Sequence, residues 1–160
     1  MPQILSIVGR SQSGKTTIIE KLIPELKKRG YRIGTIKHAH HGFDIDKSGK
    51  DSWRHRHAGA DTVVVASPGQ IAMVKDEKRE SLDDLQKYFD GVDLIITEGY
   101  KSDNKPKIEV LRAARHSQLV CADDDKLFAV VTDVDLNPKV PRFELDQIKE
   151  LADLIEKRFL

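Results

Sequence analysis

The first chemically informative segment of the chain contains two glycines, a lysine and two threonines. Its residues are Gly9, Arg10, Ser11, Gln12, Ser13, Gly14, Lys15, Thr16 and Thr17. They match the spacing G-x-x-x-x-G-K-[S/T], in which glycines let backbone N–H groups turn inward around phosphate oxygens. The lysine of this motif contacts the β- and γ-phosphates, and the next hydroxyl joins a Mg²⁺ shell. The segment therefore predicts that Lys15 stabilises phosphate charge and that Thr16 is a magnesium ligand.

The residues on either side of this segment predict the elements that a phosphate-binding loop requires. Residues 4–8 are a short β-rich run, and residues 18–26 carry apolar side chains at helical spacing before Gly30. Residues 31–37 are predicted to form a second strand, parallel to the first. This strand–loop–helix context favours a phosphate-binding loop over a chance glycine-rich turn.

The remaining pattern predicts an α/β fold of the P-loop NTPase type. Further strands are predicted at residues 62–66, 70–75, 92–97, 107–112 and 127–132, and helices at about 51–58, 81–89 and 145–159. Turn chemistry at residues 67–69 makes the first two of these strands an antiparallel hairpin, which would make the sheet mixed. We expect a mostly parallel twisted sheet flanked by helices, in a single domain covering residues 1–160. A projecting hairpin could also pair with a second chain, so a homodimer is a hypothesis.

The bulk composition restricts the classes of partner. Lysine and arginine total 27 and aspartate and glutamate total 26, so no charge excess suggests a nucleic-acid or membrane partner. The single cysteine excludes an internal disulfide framework. We see neither a signal-peptide pattern nor an apolar run approaching the ~18 residues of a membrane helix, so we expect a cytoplasmic location.

A second group of candidate residues follows the apolar run at residues 92–97. Ligands of this fold gather at the carboxyl ends of the strands, where Glu98 would lie. Its carboxylate is predicted to serve Mg²⁺ directly or through water, although an ordinary charge at a strand end is the alternative. Lys101 could contact phosphate or be solvated, and the sequence favours neither.

A third group lies in the polar loop that follows the second predicted strand. Three of its residues are histidines: His38, His40 and His41. They invite a metal interpretation, but one shared loop without a nearby cysteine disfavours a closed structural zinc site. The loop occupies the place of a switch or acceptor-binding segment. Asp44 and Asp46 could reach Mg²⁺ or water, so we take them as catalytic candidates beside Lys15.

The base-reading residues are the least determined. Thr132 and Asp133 end a buried strand, and a carboxylate there could accept hydrogen bonds from guanine N1 and N2 while rejecting adenine. A turn-capping aspartate explains the same residue equally well. The guanine signature Asn-Lys-x-Asp does not occur in the sequence. The residues alone therefore leave GTP and ATP open.

Taken in order, these motifs resemble the MobB family, the molybdopterin-guanine dinucleotide biosynthesis adapters of molybdenum cofactor biosynthesis. The resemblance includes the phosphate-binding loop and extends from residue 4 to about residue 136. Its other segments are Lys37-His38-Ala39-His40-His41, Phe43-Asp44-Ile45-Asp46-Lys47, Gly49-Lys50-Asp51-Ser52, Arg56-His57-Ala58-Gly59-Ala60, Thr97-Glu98-Gly99-Tyr100-Lys101, Pro106-Lys107-Ile108-Glu109-Val110 and Thr132-Asp133-Val134. One departure is Lys47-Ser48-Gly49, where Lys-Pro-Gly is expected, and it alters the stiffness of the loop.

The resemblance implies GTP and Mg²⁺ as cofactors, weak GTPase activity and a homodimer. It also implies a partner, the guanylyltransferase MobA, which joins GMP to molybdopterin. Two other interpretations compete. A small-molecule kinase would need an arginine-bearing lid, for which residues 76–80 are too short and too mixed in charge. A metallochaperone GTPase is suggested by the histidines, but no Cys-rich or long His-rich tract supports it.

Overall fold

The computed structural model describes residues 1–39 and 41–160. The chain divides into two compact units, one of Met1–His38 with Leu85–Leu160 and the other of Ala39–Asp84. His40 lies outside the described residues, so its predicted place in the histidine loop stays a prediction. The sequence predicted a single domain over residues 1–160, and this also stays a prediction.

The strands confirm the predicted α/β architecture. In chain order they are β1 (Gln3–Val8), β2 (Ile33–Lys37), β3 (Thr62–Ser67), β4 (Gln70–Lys75), β5 (Leu94–Glu98), β6 (Lys107–Leu111), β7 (Leu127–Thr132) and β8 (Arg142–Phe143). The first unit carries a six-stranded sheet of order β2-β5-β1-β6-β7-β8, and every neighbouring pair in it is parallel. Because β1 lies between β5 and β6, the residues that follow these three strands meet at one edge.

Four α-helices complete the described elements. They are α1 (Lys15–Lys28), α2 (Asp51–His57), α3 (Leu82–Leu85) and α4 (Ile148–Phe159). The single helix predicted for residues 81–89 is instead the short α3 followed by a 3-10 turn at Gln86–Tyr88, a common tightening at helix ends. Within the described residues, no helix is long and apolar enough to cross a membrane.

One face of the parallel sheet holds the main core and fixes α1. The buried side chains of α1 are Ile18, Ile19, Leu22 and Leu26. They pack in one cluster with α4 and with alternate residues of the strands, such as Leu5 and Ile96. Burying each such side chain contributes about 1.5–3 kcal/mol. This packing holds the start of α1 against the carboxyl end of β1.

The second unit contains the predicted antiparallel hairpin, but the hairpin does not join the large sheet. Strands β3 and β4 pair with each other alone and form a separate two-stranded sheet, so the expected mixed sheet was wrong. Gly69 has φ 82 in the turn between them, a conformation that favours glycine. Several apolar side chains of the hairpin are exposed: Val64, Val65, Ile71 and Met73.

Candidate nucleotide-binding site

The loop between β1 and α1 has the backbone of an anion-binding nest. Gln12 has φ 59 and Gly14 has φ 96, and left-handed residues of this kind turn successive N–H groups to one side. Gly9 has φ 140, and an added Cβ there would collide with the carbonyl oxygen of Val110 on β6. The hydroxyl of Ser13 is buried and has no hydrogen-bond partner among the described residues. The loop thus needs glycine at position 9 and carries an unused buried hydroxyl.

Lys15 directs its ammonium group across the mouth of this loop. Its Nζ donates hydrogen bonds to the carbonyl oxygens of Gly9 at 3.1 Å and of Arg10 at 2.8 Å. Burial lowers the pKa of Lys15, the nearby Glu98 carboxylate opposes this shift, and Lys37 adds to it. A partly desolvated cation beside backbone donors attracts phosphate oxygens strongly.

Thr16 and Glu98, predicted from distant parts of the sequence, are in direct contact. Thr16 Oγ1 donates a hydrogen bond of 2.9 Å to Glu98 Oε1. Strand pairing brings them together, because β5 lies beside β1 and places Glu98 opposite Ile7 in the register. A hydroxyl and a carboxylate at the end of a phosphate-binding loop are the oxygen ligands that Mg²⁺ prefers.

A ring contact that no sequence pattern signals flanks Glu98. The backbone N–H of His38 donates to the Glu98 carbonyl oxygen at 3.1 Å. The rings of His38 and Tyr100 stack with centroids 4.5 Å apart. Tyr100 has φ 58, a strained conformation for a residue with a side chain. The stack therefore braces the backbone on both sides of Glu98. Only the resemblance to a family motif singled out Tyr100 in the sequence.

Three other predicted residues have different surroundings. Lys101 is exposed and makes no hydrogen bond or ion pair with any described residue. Thr132 is buried, and its Oγ1 accepts the N–H of Val134 at 2.9 Å. Asp133 Oδ1 accepts the N–H of Ala113 at 2.6 Å. This hydrogen bond is a structural role, like the turn-capping one that was the alternative to base recognition. The nucleotide contacts predicted for all three stay predictions.

Two charged residues of β6, next to the loop, have buried side chains. Lys107 Nζ donates to Asp124 Oδ2 at 2.8 Å and to the Asp103 carbonyl oxygen at 2.6 Å. Glu109 accepts the N–H groups of Val120 at 2.7 Å and Cys121 at 2.8 Å. These contacts fasten the connection between β6 and β7 to the sheet beside the phosphate-binding loop.

The connection from β6 to β7 also contains residues that the sequence analysis missed. Arg112 lies against the loop, since a Cβ added at Gly14 would stand 3.1 Å from Arg112 Cδ. His116 Nε2 lies 3.4 Å from the carbonyl oxygen of Ser11, a contact in which the ring nitrogen donates. No sequence motif marks either residue. Their position depends on which strand neighbours β1.

The two catalytic aspartates predicted from the histidine loop belong to the second unit. Asp44 is exposed, whereas Asp46 Oδ1 accepts the N–H of Lys47 at 2.8 Å and the hydroxyl of Ser52 at 3.1 Å. Asp46 therefore braces the start of α2. Across residues 1–39 and 41–160, no three His, Cys, Asp or Glu side chains form a group that could hold a metal ion. The catalytic roles of both aspartates stay predictions.

A shallow groove of about 550 Å³ runs along α2 in this unit. Its lining is mostly basic and aromatic, with Trp53, Arg54, His55 and His57, and it also includes Asp51 and Ala58. The rings of Trp53 and His57 stack with centroids 3.6 Å apart. Aromatic faces beside a guanidinium suit a planar anionic ligand or a protein partner.

A parallel sheet with a glycine-rich loop between β1 and α1, and a carboxylate from β5 on its threonine, defines a P-loop NTPase fold. The family described as MobB, molybdopterin guanine dinucleotide synthesis protein B, matches residues 4–133. This chain belongs to the MobB family.

Individual relatives agree with this assignment along nearly the whole chain. The molybdopterin-guanine dinucleotide biosynthesis adapter protein of Haemophilus influenzae is 40% identical over 156 residues, which cover 96% of this chain and 87% of the relative. The Escherichia coli protein of the same name is 39% identical, over 97% of this chain and 92% of its own length. The crystal structure of Bacillus subtilis MobB superposes with a TM-score of 0.78 at 25% identity, covering 99% of this chain and 98% of that one.

Proposed function

We propose that this chain binds Mg·GTP through its phosphate-binding loop and acts as an adapter when GMP is attached to molybdopterin. The observation that carries the nucleotide part is the 2.9 Å hydrogen bond between Thr16 Oγ1 and Glu98 Oε1. It joins the hydroxyl of the loop to a carboxylate from the neighbouring strand, as a triphosphate site with magnesium requires. The adapter part rests on membership of the MobB family and on the names of its relatives.

The residues at the loop fit a magnesium ion bound with a triphosphate. Thr16 and Glu98 would hold the ion, and the nest of N–H groups with Lys15 would hold the phosphates. When bound, the ion would neutralise charge on the β- and γ-phosphate oxygens. Lys15 would stabilise the same charge from the other side. We assign weak GTP hydrolysis to this site, and the catalytic roles of Asp44 and Asp46, which belong to the second unit, stay predictions.

Fewer observations support guanine as the base than support the phosphate and magnesium site. Asp133 stands at the end of β7, and its Oδ1 accepts a backbone N–H, which leaves Oδ2 to face a base edge. Two guanine N–H groups would pair with such a carboxylate, whereas adenine offers no matching pair. Lys101 and Thr132 would complete the nucleotide contacts. Relatives named for guanine dinucleotide synthesis favour the same choice.

The second unit would provide the protein contacts. The apolar side chains that the hairpin exposes would be covered by the hairpin of a second copy, giving a homodimer. The groove along α2 would face molybdopterin or the guanylyltransferase partner MobA, because its basic and aromatic lining suits a pterin phosphate. A cytoplasmic location fits this role and stays a prediction.

Calorimetric titration of the purified protein with Mg·GTP and with Mg·ATP tests the proposal. We expect a saturable site for Mg·GTP and at least tenfold weaker binding of Mg·ATP, since adenine offers the Asp133 carboxylate no matching pair of N–H groups. Lys15→Ala should abolish binding, and Lys28→Ala at the other end of α1 serves as the matched control. Preference for ATP would refute the base assignment, and absence of any nucleotide binding would refute the site.

A further inference from the structure

Residues 112–116, which follow β6, form a hydrogen-bonded turn beside the phosphate-binding loop. The carbonyl oxygen of Arg112 accepts the N–H groups of Arg115 at 3.0 Å and His116 at 2.9 Å. The N–H of Ala113 donates to Asp133 Oδ1 at 2.6 Å, which joins the turn to the end of β7. His116 Nε2 reaches the carbonyl oxygen of Ser11 at 3.4 Å. The turn is thus anchored both to the loop and to the next strand.

The side chain of Arg112 lies on the loop and leaves its charged end unused. The aliphatic stem covers Gly14, where an added Cβ would stand 3.1 Å from Arg112 Cδ and 3.8 Å from its Cγ. Arg112 is exposed, and its guanidinium forms no hydrogen bond or ion pair with the part of the chain that the structure describes. An arginine whose aliphatic part is packed and whose guanidinium is unpaired can bind an anion or stack on a ring.

The sheet order places this guanidinium on a particular side of the site. Lys15, Thr16 and Glu98 lie where β1 meets β5, and they would serve the β- and γ-phosphates and their metal ion. Arg112 lies on the opposite flank, because β6 is the other neighbour of β1. Asp133, at the end of β7, is one strand further along the same direction. The nucleoside would lie on this flank.

We propose that Arg112 is a nucleotide-binding residue whose guanidinium contacts the nucleoside and α-phosphate of the bound guanine nucleotide, the part that GTP and GDP share. This inference rests on the proposed GTP binding and deepens it. Asp133 then has a positioning role as well, since its hydrogen bond to Ala113 fixes the turn that carries Arg112.

The test compares the affinities of Mg·GTP and Mg·GDP for three variants of the whole protein. Arg112→Met keeps the stem on Gly14 and removes the charge, and Arg112→Lys keeps the charge and removes the planar fork. Arg115→Met, an exposed arginine of the same turn, is the matched control for net charge. We expect Arg112→Met to weaken GTP and GDP by the same factor, about 10- to 100-fold. Arg112→Lys should recover only part of that loss, and Arg115→Met should change neither affinity.

Several outcomes would overturn the inference. A loss confined to GTP would put the guanidinium at the γ-phosphate, and an equal loss in Arg115→Met would reduce the effect to net charge. Unchanged affinities in Arg112→Met, with the unmodified protein binding normally, would remove this inference and leave the proposed function intact. If the unmodified protein binds no guanine nucleotide, the proposed function fails and the role of Arg112 fails with it. Thermal unfolding of each variant separates loss of binding from loss of fold.

Discussion

Thr16 Oγ1 donates a hydrogen bond of 2.9 Å to Glu98 Oε1, although the two residues are 82 positions apart in the chain. The contact exists because β5 lies parallel to β1 and ends beside the phosphate-binding loop. The hydrogen bond of His38 to the Glu98 carbonyl oxygen, and the stack of His38 on Tyr100, hold this strand end in place. A carboxylate that is fixed before a metal ion arrives loses little entropy when it binds.

The first prediction concerns the charge of Glu98. Glu98→Gln keeps an oxygen that accepts the Thr16 hydroxyl but removes the negative charge that would favour Mg²⁺. We expect the affinity for Mg²⁺ in the presence of GTP to fall about 10- to 100-fold, with the fold unchanged. Titration of Mg²⁺ into the protein with GTP measures it. Glu20→Gln, an exposed glutamate on α1, is the control, and an equal response of both variants would place Glu98 outside the metal site.

The second prediction concerns Gly9, where φ is 140 and an added Cβ would strike the Val110 carbonyl oxygen. Gly9→Ala combines backbone strain of about 1–3 kcal/mol with displacement of the loop, and we expect triphosphate binding to disappear. Gly30→Ala is the matched control, because Gly30 has φ 97 and open space around it. It should cost about 1–2 kcal/mol of unfolding free energy and leave binding intact. Denaturant unfolding and calorimetry measure both, and intact binding in Gly9→Ala would contradict the expected clash.

Local sequence signals predicted the part of the site that one strand–loop–helix unit carries. The loop residues and Lys15 could be found because glycine spacing and the flanking elements encode their geometry within a few residues. Glu98 could be found because it ends an apolar strand. The strand order of the sheet, by contrast, comes from packing over the whole unit. No local signal therefore marked the burial of Lys107 or the place of Arg112 beside the loop.

The third prediction follows from the part-buried ion pair between Lys107 and Asp124. The side chain of Lys107 is 2% exposed, and its ammonium group donates to Asp124 Oδ2 at 2.8 Å. That hydrogen bond lowers the pKa of Asp124 from its ordinary value. Asp124→Asn leaves the Lys107 ammonium group without its counter-ion, but the Asp103 carbonyl oxygen still accepts from it and the Asp124 side chain is 25% exposed. We therefore expect the free energy of unfolding at neutral pH to fall by about 1–3 kcal/mol. Denaturant unfolding measures the loss.

The same pair predicts how stability changes with pH. Because the pKa of Asp124 is lower in the folded state than the ~3.9 of an unfolded aspartate, the unfolded state binds more protons in acid. Its contribution is complete above about pH 5 and is lost as the pH falls through the folded value. Asp124→Asn should lack this part of the acid transition. Asp125→Asn, whose side chain is 82% exposed, is the control and should retain it. Identical acid transitions in wild type and Asp124→Asn would contradict the prediction.

The last prediction concerns the apolar surface of the hairpin and the proposed homodimer. The side chain of Ile71 is 74% exposed and lies opposite Ala66 in the β3–β4 register. A two-stranded sheet with apolar residues open to water is marginal alone and gains stability when a second copy covers it. Ile71→Lys removes this apolar contact twice in a symmetric dimer, at about 1.5–3 kcal/mol for each copy. We therefore expect the dimer dissociation constant to rise about 100-fold or more, measured by sedimentation.

Gln70→Lys provides the matched control for this change. Gln70 is the neighbouring exposed residue, opposite Ser67, so the variant adds the same charge without removing apolar surface. It should leave the dimer largely intact because a charge at a polar rim costs little. The phosphate-binding loop belongs to the other unit of the chain, and we expect both variants to bind Mg·GTP as the unmodified protein does. A monomeric unmodified protein at working concentration, or equal dissociation of the two variants, would exclude the apolar hairpin as the dimer contact.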